Sequence, residues 1–289
     1  MGRVELLVVM VGFAVAVLAI VLLQRPAASA VDHWAEAHGL DLTPANRPMV
    51  TWYLVTARRL RRCGAVAGFL LPTPLSAALT GHSASGSTFF WAVVGYLAGA
   101  VWAEVALRRP LPPGPSQASL VPRDLRDYLP PGLRWGQRAI GVGGALLGVL
   151  VALLDPRPSI AAFVSYPSIG AALGLGAATL VVAGALEAVQ RWLVGRRQPI
   201  VSADLLAADD AIRSQSVITI SGAGIAILLV LIAPLFVWLG VSEVDFLRAT
   251  GGPFAILCGI GALFAWAKLG HWSWRVRRPG ATTLAGARM

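Results

Sequence analysis

Seven apolar stretches divide this chain, and its basic residues gather on alternate sides of them. When the stretches are threaded through a bilayer with the N-terminus outside, only three of the 24 Lys and Arg residues (Arg3, Arg157 and Arg248) lie on the outer side. Cytoplasmic loops of membrane proteins accumulate Lys and Arg. The pattern therefore predicts an all-α polytopic integral membrane protein, a bundle of seven transmembrane helices with the N-terminus out and the C-terminus in.

The predicted spans follow from the apolar runs and their polar flanks. They cover about residues 4–23, 63–79, 88–107, 139–154, 169–189, 217–240 and 253–269. The segments assigned to the cytoplasm are residues 24–62, 108–138, 194–216 and 271–289. Because the polar sequence is split into four pieces, we expect one membrane domain over residues 1–289 and no separate catalytic domain.

Composition supports the membrane class. The chain is 56% hydrophobic and 13% charged, whereas soluble domains carry about 25% charged residues. A net charge of +10 is also found in proteins that bind nucleic acid, but here the arginines flank apolar segments and do not form one basic stripe. We therefore expect no nucleic-acid partner. The predicted partner is the bilayer itself, through anionic headgroups at the inner face.

The first apolar run has an alternative interpretation as a secretory signal peptide, because Ala28-Ser29-Ala30 resembles a cleavage site. Its 18 residues from Leu6 to Leu23 exceed the roughly 7–15 of a signal peptide's apolar region. Cleavage would also invert the charge asymmetry of every later loop. These observations favour a retained transmembrane helix.

Two helix starts are predicted in the cytoplasmic segments. Thr43-Pro44 fits an N-cap followed by proline at the first helical position, with a helix running on into the second span. A second helix begins near Asp204 and runs into the sixth span. Within the second span, Pro72-Thr73-Pro74 should kink or end the helix.

After the first span the chain forms three hairpins, each closing on a basic flank followed by proline. These flanks are Arg108-Arg109-Pro110, Arg196-Arg197-Gln198-Pro199 and Arg277-Arg278-Pro279. Some transporters contain parallel repeats of this kind. The alternative is that inward-ending spans of an arginine-rich protein tend to close in this way.

Two carboxylates lie inside predicted spans, where ionisable residues are candidates for function. Glu104 is four residues before Arg108 and Glu187 is four residues before Arg191. That spacing places both partners on one helix face and predicts interfacial ion pairs. The alternative is an ion or proton relay that uses Glu104 and Glu187.

Asp204, Asp209, Asp210 and Arg213 form a predicted polar cluster at the inner face. The cluster fits either a fragment of an active site or, by the interpretation we favour, carboxylates that pair with inner arginines and tie the helices together. The four histidines and two cysteines stand at no metal-ligand spacing. We therefore predict no metal site and no cofactor. The predicted spans place Cys63 and Cys258 at membrane depths about 20 Å apart, too far for a disulfide, so we expect two free thiols.

Glycine spacing predicts where helices pack. Gly144/Gly148 and Gly170/Gly174 are small residues four apart, a spacing that lets helix backbones approach closely in lipid. We expect the fourth to seventh spans to form the tight centre of the bundle. A glycine-lined conduit is the alternative.

Residues 197–201 (RQPIV) and 203–213 (ADLLAADDAIR) resemble inner loops of multi-span membrane proteins from high-GC Gram-positive, actinobacterial-type bacteria. The resemblance covers about 20 residues of the chain, and it implies a bacterial plasma membrane location. It implies no activity.

Three hypotheses about function follow. The first is a non-enzymatic accessory or partner subunit of an inner-membrane assembly, because no catalytic motif is present and few charges lie within the spans. The second is a small-solute or ion transporter, based on the proline break, the glycine-rich spans and the two carboxylates. The third is a membrane enzyme that acts on lipid through Asp209 and Asp210.

Overall fold

A computed structural model describes residues 28–70, 88–106, 124–154, 168–196, 202–240, 242 and 244–269. Over these residues the chain is helical and has no strand, which confirms the all-α class. The helices are α1 (Ala28–His38), α2 (Arg47–Leu70), α3 (Thr88–Ala106), α4 (Leu125–Tyr128), α5 (Pro131–Leu154), α6 (Ile169–Gly195), α7 (Ala203–Gly240) and α8 (Asp245–Phe264), and a π-helical turn (Ala265–Leu269) continues α8. The predicted first span at residues 4–23 and the proline break at residues 72–74 lie outside the described residues.

Four helices in the described part of the chain are long and apolar enough to cross a membrane. They are α5, α6, α7 and α8 with its π-helical extension to Lys268. A shorter apolar stretch, Trp91–Ala106, lies in α3. By their length and composition, these helices indicate a membrane protein.

The surfaces of these helices are apolar where a soluble protein would be polar. In α7, 56% of an apolar 18-residue stretch is buried, against 22–28% of the corresponding stretches in α5, α6 and α8, so α7 is the most enclosed of these four helices. Large exposed apolar surfaces on helices of this length are typical of contact with lipid. Large exposed apolar side chains include Leu146, Leu153, Val181, Phe246, Ile256 and Leu263.

The helices are longer than the apolar runs that predicted them. α5 begins at Pro131 and α8 at Asp245, eight residues before each predicted start. Helices continue past the apolar region because only the part inside the bilayer has to be apolar. Pro253, the predicted start of the seventh span, lies inside α8, where it removes one backbone donor.

The described elements divide into two compact units. The first holds the described residues up to Ala106 and those from Ser202 to Ile212, and the second holds the described residues from Asp124 to Arg196 and from Arg213 to Leu269. The first unit therefore includes α1, α2, α3 and the first ten residues of α7. The second unit includes α4, α5, α6, the rest of α7 and α8.

In the first unit, α1, α2 and α7 enclose a small apolar core. Buried contributors include Val31, Val50, Tyr53 and Ile212. α2 is preceded by a turn in which the Thr43 N–H donates to Asn46 Oδ1 at 2.9 Å and the Asn46 N–H donates to Thr43 Oγ1 at 3.4 Å. This reciprocal pair closes a turn at the predicted Thr43-Pro44, but the α-helix itself begins at Arg47, three residues after the predicted first helical position.

α2 and α3 pack with their backbones in contact. A Cβ added to Gly64 would lie 2.3 Å from the carbonyl oxygen of Gly95, and one added to Gly95 would lie 2.6 Å from the Cα of Gly68. Gly99 in turn lies against Gly64. Both helices thus carry a pair of glycines four residues apart at their contact, the spacing that permits close helix approach.

The second unit has two further glycine contacts between sequential helices. A Cβ on Gly148 of α5 would lie 2.8 Å from the Cα of Gly176 of α6. A Cβ on Gly251 of α8 would lie 2.2 Å from the backbone nitrogen of Gly240 in α7. Phe236 and Phe254 stack beside this second contact, with ring centroids 5.3 Å apart.

Candidate functional site

Among the described residues of the first unit, the most enclosed charge is Glu104 of α3, whose side chain has no exposed surface. Its carboxylate accepts a hydrogen bond from Arg61 Nη2 at 3.0 Å, and both its oxygens lie 3.2 Å from the Tyr53 hydroxyl. Both partners come from α2. The predicted partner, Arg108, lies outside the described residues. Glu104 is therefore held by a neighbouring helix across the glycine contact.

Arg61 compensates this carboxylate electrostatically. Burial alone would lower the pKa of the Arg61 guanidinium, but the Glu104 carboxylate and the nearby Tyr53 outweigh that effect, and its pKa lies above the ordinary value. The arginine thus remains charged. The arrangement is a buried ion pair with a phenolic hydrogen bond, which joins α2 to α3.

Glu187 of α6 occupies a comparable position in the second unit. It accepts hydrogen bonds from Arg138 of α5, including one from Nε at 2.9 Å, and from Arg191 Nη2 at 2.6 Å. The pair with Arg191 is the one expected from the four-residue spacing. The pair with Arg138 joins two helices and could not be read from local spacing. The side chain of Glu187 is 16% exposed.

A chain of uncharged polar groups links three helices of the second unit. Gln190 Nε2 donates to Gln137 Oε1 at 3.1 Å and to Ser221 Oγ at 2.9 Å. Thr179 Oγ1 donates across to the Gly141 carbonyl at 2.9 Å. The donors and acceptors of these side chains pair with groups on neighbouring helices, so the hydrogen bonds hold the three helices together. These contacts were not predicted from the sequence, although glutamines inside apolar helices are a signal of such contacts.

The predicted inner-face cluster is distributed along α7. Asp204 lies exposed in the first helical turn, where a carboxylate interacts favourably with the helix dipole. Asp209 and Asp210 are buried, with 8% and 6% of their surfaces exposed. Arg213 Nη1 donates to the carbonyl oxygens of Leu193, Val194 and Arg196 at 2.7–3.0 Å. Arg213 therefore caps the C-terminal end of α6.

The four glycines selected for packing fall into two groups. Gly144 and Gly148 lie at helix contacts, Gly144 against Thr179 and Ile232. Gly170 and Gly174 are exposed, and no described atom lies within 4 Å of a Cβ placed on Gly174. The pairs Gly64/Gly68 and Gly95/Gly99 have the same spacing and form the α2–α3 contact, which was not predicted from the sequence.

A cavity of about 520 Å³ lies where α4 meets the start of α5 and the end of α6. Its charged lining residues are Asp124, Arg126, Asp127, Arg134 and Arg191, and the remainder includes Val194 and Gly195. Asp124 caps α4 by accepting a hydrogen bond from the Arg126 N–H, and the Asp127 carboxylate accepts one from the Asp124 N–H. No sequence motif marked this cavity.

Neither cysteine forms a disulfide: Cys63 is half-buried and Cys258 is buried. Over the described ranges, no group of three or more His, Cys, Asp or Glu side chains is arranged to hold a metal ion.

Comparison with known proteins assigns this chain to no family. No protein-family model, curated protein or solved structure matches this chain.

Proposed function

We propose that the protein is a non-catalytic accessory subunit of an assembly in a bacterial plasma membrane. In this proposal the chain crosses the bilayer seven times, with its N-terminus outside and its C-terminus inside. The distribution of arginine supports that orientation. The observation that carries the accessory role is an exposed face of small residues on α6.

This small-residue face consists of exposed positions at alternating spacings of four and three, which lie on one side of a helix. It comprises Gly170, Gly174, Ala177, Gly184 and Ala188, with Val181 between them. The opposite side of α6 packs within the protein through Gly176, Thr179 and Gln190. Small residues on a membrane helix allow close approach of another helix, so the face suits a transmembrane helix of a second protein.

The polar side chains that a transporter or an enzyme would use are paired or buried, which favours the accessory role over the other two hypotheses. A proton or ion relay needs carboxylates that can release one partner and take another, whereas Glu104 and Glu187 are each held by arginine. An enzyme acting on lipid needs accessible groups, whereas Asp209 and Asp210 are buried and Arg213 caps a helix.

Co-purification from membranes of the source bacterium in a mild detergent tests the proposal. The informative variant is Gly174→Leu, which fills the small-residue face. Its matched control is Gly143→Leu on α5, another exposed glycine with no described atom near its Cβ. We expect wild type and Gly143→Leu to retain the same partner, a membrane protein other than this chain, at fixed stoichiometry. We expect Gly174→Leu to lose that partner.

Three results would count against the accessory role. In the first, wild type elutes as a single component. In the second, the partner remains equally bound to Gly174→Leu. Association of only a second copy of this chain would also reject the role, and native mass spectrometry distinguishes that case.

A further inference from the structure

We propose that the cavity bounded by α4, the start of α5 and the end of α6 is a binding site for the phosphoethanolamine headgroup of a phospholipid. This site is independent of the accessory role, and it requires only that α5 and α6 span the membrane. The cavity volume of about 520 Å³ is within the range of roughly 300–1,000 Å³ typical of small-molecule sites.

The position of the cavity matches the headgroup level of a bilayer. Arg134 lies in the first turn of α5 and Arg191 in the last turns of α6, at the same end of the two antiparallel spans. The next residue along each helix is an exposed tryptophan: Trp135 is 65% exposed and Trp192 is 50% exposed. Tryptophan and arginine at the end of an apolar span are typical of the membrane–water interface.

Arginine supplies the cavity with donors for a phosphate. Nε of Arg134 is buried and has no acceptor among the described residues. Arg191 donates to Glu187 through Nη2, which uses one of the five N–H donors of a guanidinium. Guanidinium groups bind phosphate by charge-assisted, often bidentate hydrogen bonds.

The end of α6 would normally oppose an anion, because its free carbonyl groups carry partial negative charge. Arg213 offsets this effect. Its Nη1 binds the carbonyl oxygens of Leu193 and Val194, and Val194 lines the cavity. A buried arginine thus neutralises the helix end beside the proposed phosphate position.

The two carboxylates of the cavity make its lining zwitterionic. Asp124 and Asp127 lie on α4, which is anchored by the buried side chains of Leu125, Tyr128 and Leu129. Asp124 is paired with Arg126, whose Nε lies 3.9 Å from Asp124 Oδ2. Asp127 is held by the Asp124 N–H and keeps further lone pairs that can accept from an ammonium group. Phosphate beside Arg134 and Arg191 and ammonium beside Asp127 is the charge pattern of phosphoethanolamine.

The test uses the full-length protein, purified in detergent and delipidated. Binding is measured by native mass spectrometry with phosphatidylethanolamine or phosphatidylglycerol, and by thermal shift with the soluble dihexanoyl forms of both lipids and with inorganic phosphate. Arg134→Gln/Arg191→Gln removes the proposed phosphate ligands. The control Arg47→Gln/Arg58→Gln removes two exposed arginines from the other unit.

We expect wild type and the control to bind phosphatidylethanolamine in preference to phosphatidylglycerol. We expect the Arg134/Arg191 variant to bind it about tenfold more weakly, the effect of losing charge-assisted hydrogen bonds. Asp127→Asn retains the oxygen that caps α4, so it should abolish only the preference between the two lipids. If the double variant does not fold, Arg134→Gln alone should still weaken binding.

Three results would overturn the assignment. The first is equal lipid retention by wild type and the arginine variants. The second is equal binding of the two lipids by wild type. The third is stabilisation by inorganic phosphate as great as by the short-chain phosphatidylethanolamine, which would assign the cavity to a soluble anion.

Discussion

The guanidinium of Arg61 on α2 lies 3.0 Å from the carboxylate of Glu104 on α3, although 43 residues separate them in the sequence. The glutamate side chain is fully buried and the arginine side chain is 14% exposed. A buried ion pair adds little net stability over apolar residues of similar volume, but removing one partner leaves an uncompensated charge. The pair therefore makes the α2–α3 contact dependent on both residues.

Glu104→Gln should destabilise the protein strongly because it leaves the Arg61 charge buried without its counter-charge. We expect a loss of about 3 kcal/mol or more, which corresponds to a fall in Tm of roughly 6 °C for a chain of this size. Thermal unfolding in detergent, followed by circular dichroism, measures the change. Glu104→Gln/Arg61→Met should recover most of the lost stability, and a double variant no more stable than Glu104→Gln would contradict the ion-pair explanation.

Glu187→Gln should have a smaller effect that depends on salt. The arginines that bind Glu187 are 32% and 63% exposed, so solvent screens both pairs. We expect a loss of about 1 kcal/mol or less in low salt, and a smaller loss in 1 M salt, where the Debye length is about 3 Å. Thermal unfolding at two salt concentrations checks this. An effect as large as that of Glu104→Gln, unchanged by salt, would show that exposure does not set the difference between the two sites.

These two glutamates illustrate what the sequence can predict. The Glu187–Arg191 pair follows from spacing on one helix, because residues four apart share a face whatever the rest of the fold does. Arg61–Glu104 and Arg138–Glu187 depend on how two helices are aligned along each other. In the first pair that alignment is set where Gly64 and Gly95 bring α2 and α3 into backbone contact.

The glycine spacing was informative but ambiguous about direction. Gly144/Gly148 and Gly170/Gly174 have the same spacing, yet the first pair packs within the protein and the second faces outward. Two glycines four apart indicate a face suited to close approach and do not identify the helix that approaches it. The cavity at α4 was not predictable either, since it needs a one-turn helix brought against the ends of two others.

Gly95→Ala should disrupt the α2–α3 contact. A Cβ at this position would lie 2.3 Å from the Gly64 carbonyl oxygen, and backbone on both sides leaves no flexible group that can move aside. We expect overpacking to cost about 1–3 kcal/mol or more, measured as a lower Tm. The matched control is Gly143→Ala, where no described atom lies within 4 Å of the added Cβ; it should be neutral or stabilising by up to about 1 kcal/mol, the difference in helix propensity. Equal changes at the two positions would contradict close packing of α2 against α3.

Accessibility of single cysteines from outside the cell tests the proposed threading. The native thiols at Cys63 and Cys258 are first replaced by serine and alanine. Ala203→Cys then places a thiol at the exposed start of α7, and Val244→Cys places one at the exposed residue before α8. Because α7 crosses the bilayer between these two positions, a membrane-impermeant maleimide added to intact cells should label position 244 and leave position 203 unlabelled until the cells are opened.

Labelling of position 203 alone would reverse the orientation and place the arginine-rich segments outside, which the preference of basic loops for the cytoplasm opposes. Labelling of both positions in intact cells would mean that α7 does not cross the bilayer.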